Sequence, residues 1–323
     1  MSLKLAIVST GRIADGQLAP ALKHQEDAVL WSVLSRNRQR ATEFAKRHGA
    51  RSPNPAYDDL DALLADPKLD GVIIASPDRL HAEHALAAVR AGKHVLCEKP
   101  MVTEMDEGRE LVDAARAAGV RLGVAYHMRH HAGHRRLHGL VQAGKLGTLR
   151  HARVQWTWQA PDDGNWRAHS DVGRWWALAG VGTHLLDQLR WIMGPTCGEV
   201  VRLESVIAHS VFNGPHDETA VLALQFETGA TAELCASVLF DAPKRLEVYG
   251  SRGYGICEDT FGPHGEGDIW TDRGKLPFTP TNPFAGEIAD FAAAIREERD
   301  PEVNGEEGLR NVELLLRAVG AAA

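Results

Sequence analysis

The chain has 323 residues, of which 44% are hydrophobic and 24% charged, a composition typical of a soluble globular protein with room for two domains. Its 36 basic and 43 acidic residues give a formal net charge of −7 without long runs of either sign, which argues against nucleic acid as a partner. The sequence predicts neither a signal peptide nor a membrane-spanning segment, and its four cysteines, scattered without a C-x-x-C pair, favour a reducing cytoplasm.

Strand and helix patterns alternate over the first 125 residues. Short apolar runs predict strands at residues 3–8, 28–34, 70–76, 94–97 and 120–125. Helical patterns lie between them, at residues 37–48, 58–64, 80–90 and 103–118, with Thr103 as the expected cap of the last. This alternation predicts an α/β domain with a doubly wound parallel sheet, a dinucleotide-binding Rossmann domain over residues 1–124.

The pattern changes in the second half of the chain. Strand-like segments at 148–158, 199–212, 218–226, 231–240 and 244–249 are joined in part by glycine-bearing turns, and helices are expected at 133–143, 182–193, 284–297 and 306–319. We expect an α+β substrate-binding and oligomerisation domain over residues 125–323 with a large, mostly antiparallel open sheet. One face of such a sheet needs cover, which predicts a homodimer or homotetramer formed there.

The turn after the first strand has the character of a phosphate-binding turn. A dinucleotide turn needs glycine where the backbone approaches the pyrophosphate at a helix N-terminus. The segment keeps the second glycine of the usual motif but has serine at the first, so a bare strand-to-helix turn is the alternative. Its candidate cofactor-binding residues are Ser9, Thr10, Gly11, Arg12 and Ile13.

The end of the second strand predicts which cofactor is used. An NAD enzyme usually places an acid there for the ribose hydroxyls, whereas a guanidinium suits a 2′-phosphate. This chain has Ser35 and Arg36. The absent acid favours NADP(H), with NAD(H) possible, and the alternative is a solvated surface arginine.

The strand at 94–97 leads directly into Glu98 and Lys99, and Pro100 then stops it. If the sheet is parallel, both charged side chains lie at its carboxyl edge, where ligands of open α/β sheets bind.

These features, with the Ser-Pro-x-x-x-His pattern of Ser76, Pro77 and His81, make the chain resemble the glucose–fructose oxidoreductase, inositol dehydrogenase and rhizopine-catabolism family (Gfo/Idh/MocA) over essentially its whole length. The resemblance implies a Rossmann domain, an open-sheet domain, and an NAD(P)-dependent dehydrogenase or reductase that transfers hydride between nicotinamide and a hydroxyl or carbonyl carbon of a sugar, polyol or related compound.

The resemblance also implies site residues. The residues it places beside the cofactor are Ser76, Pro77, Asp78, His81, Glu98, Lys99, Trp166 and Arg167. Together with the positions of the aromatic residues, it suggests a set of substrate residues: Tyr126, His127, Trp176, His184 and Asp187. Two positions depart from the family pattern. Asp78 replaces the usual asparagine, and Gly180 replaces an aspartate common four residues before His184.

Alcohol oxidation needs a base for the hydroxyl proton, and carbonyl reduction needs the same group as an acid. Lys99 and His184 are the catalytic candidates, since histidine titrates near neutrality and lysine can be tuned toward it. We expect Lys99 to transfer the proton and His184 to orient the substrate oxygen, although the reverse assignment is open. The bland alternatives are a salt bridge for Lys99 and a core or capping role for His184.

Two other clusters carry less weight. The histidines at 127, 130, 131, 134 and 138 lack the carboxylate or thiolate that a metal site usually recruits, so we expect no metal. Trp156 and Trp158 share a strand face and are expected to pack, whereas Trp175 and Trp176 precede the His184 helix and are candidate pocket walls.

The alternative functions are a nicotinamide-binding regulator or sensor that keeps the fold but has little turnover, and an oxidoreductase of dihydrodiols or non-sugar carbonyls. The regulator is suggested by Ser9 and Gly180; retained Lys99 and His184 argue for an enzyme.

Overall fold

A computed structural model describes residues 2–169, 173–209 and 211–320. The chain divides into two units, one made of Met1–Tyr126 with Phe284–Val312 and the other of His127–Pro283 with Glu313–Ala323. Within the described ranges, no helix is long and apolar enough to cross a membrane.

A parallel six-stranded sheet forms the centre of the first unit as described, with the strand order β3-β2-β1-β4-β5-β6. Its strands are β1 Leu3–Val8, β2 Ala28–Leu34, β3 Ala56–Tyr57, β4 Gly71–Ile74, β5 His94–Cys97 and β6 Leu122–Val124. β2 and β4 are buried along their whole length, as expected for a parallel sheet covered on both faces. The order reverses between β1 and β4, so the turn after β1 and the loop after β4 leave the same sheet edge at the switch point where ligands bind.

Five helices connect these strands: α1 Ala19–Lys23, α2 Arg38–His48, α3 Leu60–Leu64, α4 His81–Arg90 and α5 Met105–Ala118. A π-helical turn, Ala14–Leu18, leads into α1. The Asn37 side chain caps α2 by accepting a hydrogen bond from the Arg40 N–H. The expected cap of α5 is wrong by one residue: Glu104, with extended backbone, holds the N-cap position instead of Thr103.

The second unit is built on an eight-stranded sheet, counted over its described residues, with the order β14-β13-β12-β11-β7-β10-β9-β8. The strands are β7 Leu149–Thr157, β8 Val200–Ala208, β9 Thr219–Phe226, β10 Thr231–Ser237, β11 Arg245–Gly250, β12 Gly253–Glu258, β13 Asp268–Thr271 and β14 Gly274–Lys275. β7 pairs with β10 in parallel, and the other described pairs are antiparallel. Burial alternates along β9, so one face of the sheet is covered and the other is open.

The helices α6 Ala132–Gln142 and α7 Thr183–Cys197 lie wholly within this unit. α7 packs against β7 and β10. The predicted fold class is therefore confirmed: a Rossmann-type parallel sheet followed by an α+β region with a mostly antiparallel sheet.

The last two helices are α8 Pro283–Arg296 and α9 Gly305–Ala318. Phe284, Ile288 and Phe291 of α8 join the core that also contains Leu5 and Ile7 of β1. The first unit therefore completes its core with residues that are far away in the sequence.

Candidate active site

The turn after β1 has the backbone that a dinucleotide turn requires. Ser9 has a φ of 88°, in the left-handed region that favours glycine, and its N–H donates to the Leu34 carbonyl at 2.9 Å. A Cβ added at Gly11 would meet only the Ser9 Oγ, at 3.9 Å, so packing within the protein does not demand glycine there. The open space beside Gly11 fits a pyrophosphate approaching the backbone.

The end of β2 lies beside this turn. The Thr10 hydroxyl donates to the Ser35 Oγ at 3.3 Å, which ties the phosphate turn to the following strand end. Arg36 is exposed, whereas Arg38 is bound to Asp58 at 3.2 Å. Arg36 therefore stays a predicted contact of the cofactor, with its side chain open to solvent.

His81 ties together the loops after β4 and β5. Its Nδ1 lies 2.8 Å from the Pro100 carbonyl oxygen, and its Nε2 lies 2.8 Å from that of Ser76. His84 adds a bond between its Nδ1 and the Ser76 Oγ at 3.0 Å. The predicted cofactor residues Ser76, Pro77, Asp78 and His81 thus lie together, with both ring nitrogens of His81 engaged inside the protein.

Glu98 and Lys99 extend β5 toward the carboxyl edge of the sheet. The Glu98 N–H donates to the Ile74 carbonyl at 2.9 Å, and the Lys99 N–H donates to the Glu98 Oε2 at 3.2 Å. Only 9% of Lys99 is exposed. The Lys99 side chain is therefore nearly enclosed by protein at the carboxyl end of β5.

Glu287 of α8 was missed by the sequence reasoning. It is 3% exposed, and its pKa is raised well above the usual value by burial and then by the charge of Glu98, whereas Lys99 acts to lower it. The available signal was its position in the apolar stripe of Phe284, Ile288 and Phe291, since a residue three or four positions from these lies on the same helix face.

In the second unit, His184 stands at the start of α7 among other rings. His127 meets it edge-on with ring centroids 4.7 Å apart, and Trp156 stacks on it at 5.6 Å. Phe261 lies 5.4 Å from Trp156. We call His127, Trp156, His184 and Phe261 the aromatic cluster. It brings together the predicted substrate residues His127 and His184. Trp156, which was expected only to pack on the sheet, lies beside them.

Asp187, one turn after His184, is bound to Arg129. The Arg129 Nε donates to both carboxylate oxygens at 3.1 and 2.9 Å, and Nη2 donates to Oδ1 at 2.6 Å. The two side chains are 4% and 1% exposed. The structure therefore gives Asp187 a counter-ion within its own unit.

Trp176 precedes α7 and is almost fully buried, with its ring 5.3 Å from that of Phe212. The backbone N–H of Trp176 donates to Asp217 Oδ1 at 2.9 Å, and the backbone N–H of Leu178 donates to Oδ2 at 2.6 Å. Burial raises the pKa of Asp217 to about 7, against the lowering effect of these hydrogen bonds. Asp217, which sequence reasoning also missed, holds the chain that leads into the His184 helix.

Gly180 lies in a π-helical turn, Leu178–Gly182, that leads directly into α7. A Cβ added at Gly180 would meet nothing within 4 Å. Position 180, where the family resemblance implies an aspartate, is therefore sterically open.

The remaining predicted residues are placed as follows. The Arg167 guanidinium lies 4.2 Å from the Trp166 ring centroid, and Tyr126 is buried in the first unit. His131 caps α6 by accepting hydrogen bonds from the N–H groups of Gly133 and His134. No group of three histidine, cysteine, aspartate or glutamate side chains in the described part of the chain is arranged to hold a metal ion.

A Rossmann sheet with an open glycine turn at its switch point, and a buried lysine at the end of β5, defines a nicotinamide-dinucleotide-binding oxidoreductase. Residues 3–126 match the oxidoreductase family with an NAD-binding Rossmann fold, and residues 134–255 match the GFO/IDH/MocA C-terminal domain. The chain belongs to the Gfo/Idh/MocA family, and the predicted resemblance is confirmed.

Individual relatives agree with this assignment. The chain is 31% identical to the 1,5-anhydro-D-fructose reductase of Ensifer adhaerens over 300 residues, which cover 90% of this chain and 88% of the relative. A 3-ketoreductase from Actinomadura kijaniata, solved with TDP-benzene and NADP, aligns with a TM-score of 0.81 and 25% identity over 98% of this chain and 96% of its own. The fold is shared with an aldose–aldose oxidoreductase from Caulobacter crescentus, solved with glycerol, at a TM-score of 0.92 and 23% identity over 100% and 98% of the two chains.

Proposed function

We propose that the protein is an NADPH-dependent reductase that converts a carbonyl group of a cyclic sugar, such as 1,5-anhydro-D-fructose, into a secondary alcohol. The observation that carries the proposal is Lys99, nearly buried and held at the carboxyl end of β5 next to Glu98. The relative from Ensifer adhaerens, named for the reduction of 1,5-anhydro-D-fructose, supports the substrate class and the direction.

We assign the proton transfer to Lys99. A nicotinamide held in the first unit would supply the hydride for the carbonyl carbon. The Lys99 ammonium gives its proton to the carbonyl oxygen, so that C=O becomes CH–OH. We assign His184 to orienting this oxygen and assign substrate contacts to Tyr126, His127 and Trp176. We keep Asp187 as a substrate-side residue that acts through Arg129.

The first test is turnover of 1,5-anhydro-D-fructose, followed by the loss of NADPH absorbance. Lys99→Met should lower kcat about 10²-fold or more while NADPH still binds. Lys68→Met removes an exposed lysine from the same unit and should leave kcat unchanged. If Lys99→Met turns over at the wild-type rate, the assignment of Lys99 is wrong. If the wild type binds NADPH but reduces no sugar carbonyl, the regulator alternative is favoured.

We propose that residues 1–124 hold the cofactor, with the residues from Ser9 to Ile13 around the pyrophosphate and Ser35 and Arg36 at the adenosine ribose. The loop of Ser76, Pro77, Asp78 and His81, the pair Glu98 and Lys99, and the pair Trp166 and Arg167 would face the nicotinamide half.

A guanidinium pairs with a 2′-phosphate, so Arg36→Ala should weaken NADPH binding about tenfold or more and leave NADH binding nearly unchanged. Arg47→Ala, at the other end of α2, is the matched control. Equal losses for both cofactors would contradict a 2′-phosphate contact.

We further propose that residues 125–323 bind substrate and form a homodimer or homotetramer through the open face of the eight-stranded sheet. Val206 and Val221 are directly opposite on neighbouring strands, and Val206 is 71% exposed. Tyr254 and Trp270 are exposed on the same sheet face. Val206→Asp should lower the molar mass measured by light scattering to that of one chain; a wild-type monomer would contradict the proposal.

The cytoplasm is the compartment we propose. All four cysteines are free, and three of them are buried, which suits a reducing environment.

A further inference from the structure

The imidazole ring of His81 lies between two carbonyl groups. Its Nδ1 lies 2.8 Å from the Pro100 carbonyl oxygen, and its Nε2 lies 2.8 Å from that of Ser76. A carbonyl oxygen accepts hydrogen bonds and donates none, so each ring nitrogen must be the donor. Neutral imidazole carries a proton on one nitrogen, whereas the imidazolium cation carries a proton on both. A neutral ring would leave a lone pair pointing at a carbonyl oxygen, and the cation satisfies both contacts.

The neighbouring His84 is in a different situation. Its Nδ1 lies 3.0 Å from the Ser76 hydroxyl, which can donate as well as accept. Burial lowers the pKa of His84, against the opposing charge of Glu83. A neutral His84 accepts the hydroxyl proton at Nδ1. Ser76 therefore donates to one histidine through its hydroxyl and accepts from the other, His81, through its carbonyl.

A buried cation needs a counter-charge as well as hydrogen-bond acceptors. His81 is 1% exposed, and so is Asp78. The His81 N–H donates to the Asp78 carbonyl across a 3₁₀ turn, and side chains three residues apart in such a turn lie on the same side. The turn thus supplies a carboxylate on the side of the ring, at a position where the family resemblance implies asparagine. The other titratable groups on this turn, on the first turn of α4 and in the loop after β5 are Arg79, Glu83, His84, Glu98 and Lys99.

We propose that His81 is a buried imidazolium cation whose two N–H groups clamp the loop after β4 to the loop after β5, and that it is a positioning residue for both loops. Hydrogen bonds from a charged donor are shorter and stronger than those between neutral groups, as the two contacts of 2.8 Å are. The inference rests on the proposed function only in giving one of these loops to the cofactor and the other, through Lys99, to proton transfer.

The clamp depends on the second proton. Pro100 directly follows Lys99, and Ser76 begins the loop that the proposed function assigns to the nicotinamide half of the cofactor. When the ring gives one proton to water at alkaline pH, one of the two carbonyl groups loses its hydrogen bond. The ring then holds one loop and releases the other, so we expect the two loops to separate at alkaline pH.

Two variants each keep one bond of the clamp and remove the charge. In His81→Asn the amide nitrogen takes the position of Nδ1 and can reach the Pro100 carbonyl. In His81→Gln it takes the position of Nε2 and can reach the Ser76 carbonyl. His24→Gln removes an exposed histidine from the same unit and is the matched control.

The first readout needs no cofactor. NMR of protein labelled with nitrogen-15 in its histidines distinguishes protonated from unprotonated ring nitrogens. At about pH 8, where an exposed histidine is almost entirely neutral, His81 should show two protonated nitrogens and His24 one. Each signal is identified by its loss in the corresponding variant. If no histidine of the wild type shows two protonated nitrogens at this pH, the proposal is overturned, whether or not the variants fold.

The second readout is the pH dependence of stability, measured by urea unfolding. The unfolded histidine loses its proton above a pKa of about 6.5, whereas the folded protein keeps it, so stability falls as pH rises. The folding equilibrium constant of the wild type, divided by that of His81→Gln, should fall nearly tenfold between about pH 7 and pH 8. The same ratio taken with His24→Gln should stay constant. A His81 ratio that does not change with pH would contradict the charge.

The third readout, NADPH binding by fluorescence titration, separates the clamp from the proposed function. Both His81 variants should bind NADPH about tenfold more weakly than the wild type at about pH 7, and the control should bind it normally. If the NMR and stability results are as expected but NADPH binds equally well to all four proteins, the charged clamp stands and the assignment of this loop to the cofactor fails.

Discussion

The buried ion pair between Arg129 and Asp187 leads to a quantitative prediction of how much it contributes to the stability of the protein. Both side chains are almost completely buried, and three hydrogen bonds of 2.6–3.1 Å join them. Removing one partner of such a pair costs about 3–5 kcal/mol, because the other charge stays buried without its counter-ion. At about 2–4 °C per kcal/mol for a domain of this size, Asp187→Leu should lower the melting temperature by about 6–20 °C.

A double-mutant cycle separates the ion pair from other roles of the two residues. Arg129→Met should cost a similar amount, whereas the double variant Arg129→Met/Asp187→Leu should recover most of the loss, since an apolar pair of similar volume is often neutral. Calorimetric melting and urea unfolding, measured on all four proteins, give the coupling energy. If Asp187→Leu melts at the wild-type temperature but has lost activity, Asp187 acts on the substrate and the structural reasoning is refuted.

Three further predictions concern the turn at Ser9, the carboxyl of Asp217 and the open position at Gly180. Because φ is 88° at Ser9, the free energy of unfolding of the Ser9→Gly variant should be about 1 kcal/mol higher than that of Ser9→Ala. Urea titrations measure both values, and equal values would mean that the turn is unstrained. The pKa of Asp217, about 7, lies above its unfolded value of 3.8, so the folded state binds this proton more tightly. The free energy of unfolding should therefore fall as pH rises from about 4 to about 7 in the wild type and stay flatter in Asp217→Asn, and parallel curves would exclude this titration. Gly180→Ala should raise the free energy of unfolding by about 0.5–1 kcal/mol, which a small rise in melting temperature would show. Gly180→Asp should raise the pKa of His184 in an NMR titration. Loss of folding in both variants would show that the position is not open.

Sequence reasoning worked best where a local pattern decides the structure. The strands at 28–34 and 94–97 were predicted to the residue, because each is a short apolar run with a clear stop on its carboxyl side. It failed for β12, β13 and β14, which are short strands at the end of the sheet. β12 contains Gly253 and Gly255, which interrupt the alternation that identifies strands.

The site divides in the same way. Lys99 and the turn at Gly11 could be predicted as site residues because the local sequence marks strand ends and glycine turns. Asp217 could not, because its partners are the backbone N–H groups of Trp176 and Leu178, 41 and 39 residues away, and nearly every residue has such a group. The pairing of Arg129 with Asp187, 58 residues apart, likewise depends on how α7 is placed.

The return of Phe284–Val312 to the first unit has a consequence for how the protein is made. A ribosome delivers Leu5 and Ile7 early, but Phe284, Ile288 and Phe291, which share their core, emerge only after nearly nine-tenths of the 323 residues have been synthesised. Until then, part of one apolar face of the nascent Rossmann sheet stays exposed, at a stage when chains are most prone to aggregate. A fragment ending at Tyr126 should bind a hydrophobic dye and require a chaperone, and supplying Phe284–Val312 as a separate peptide should relieve both.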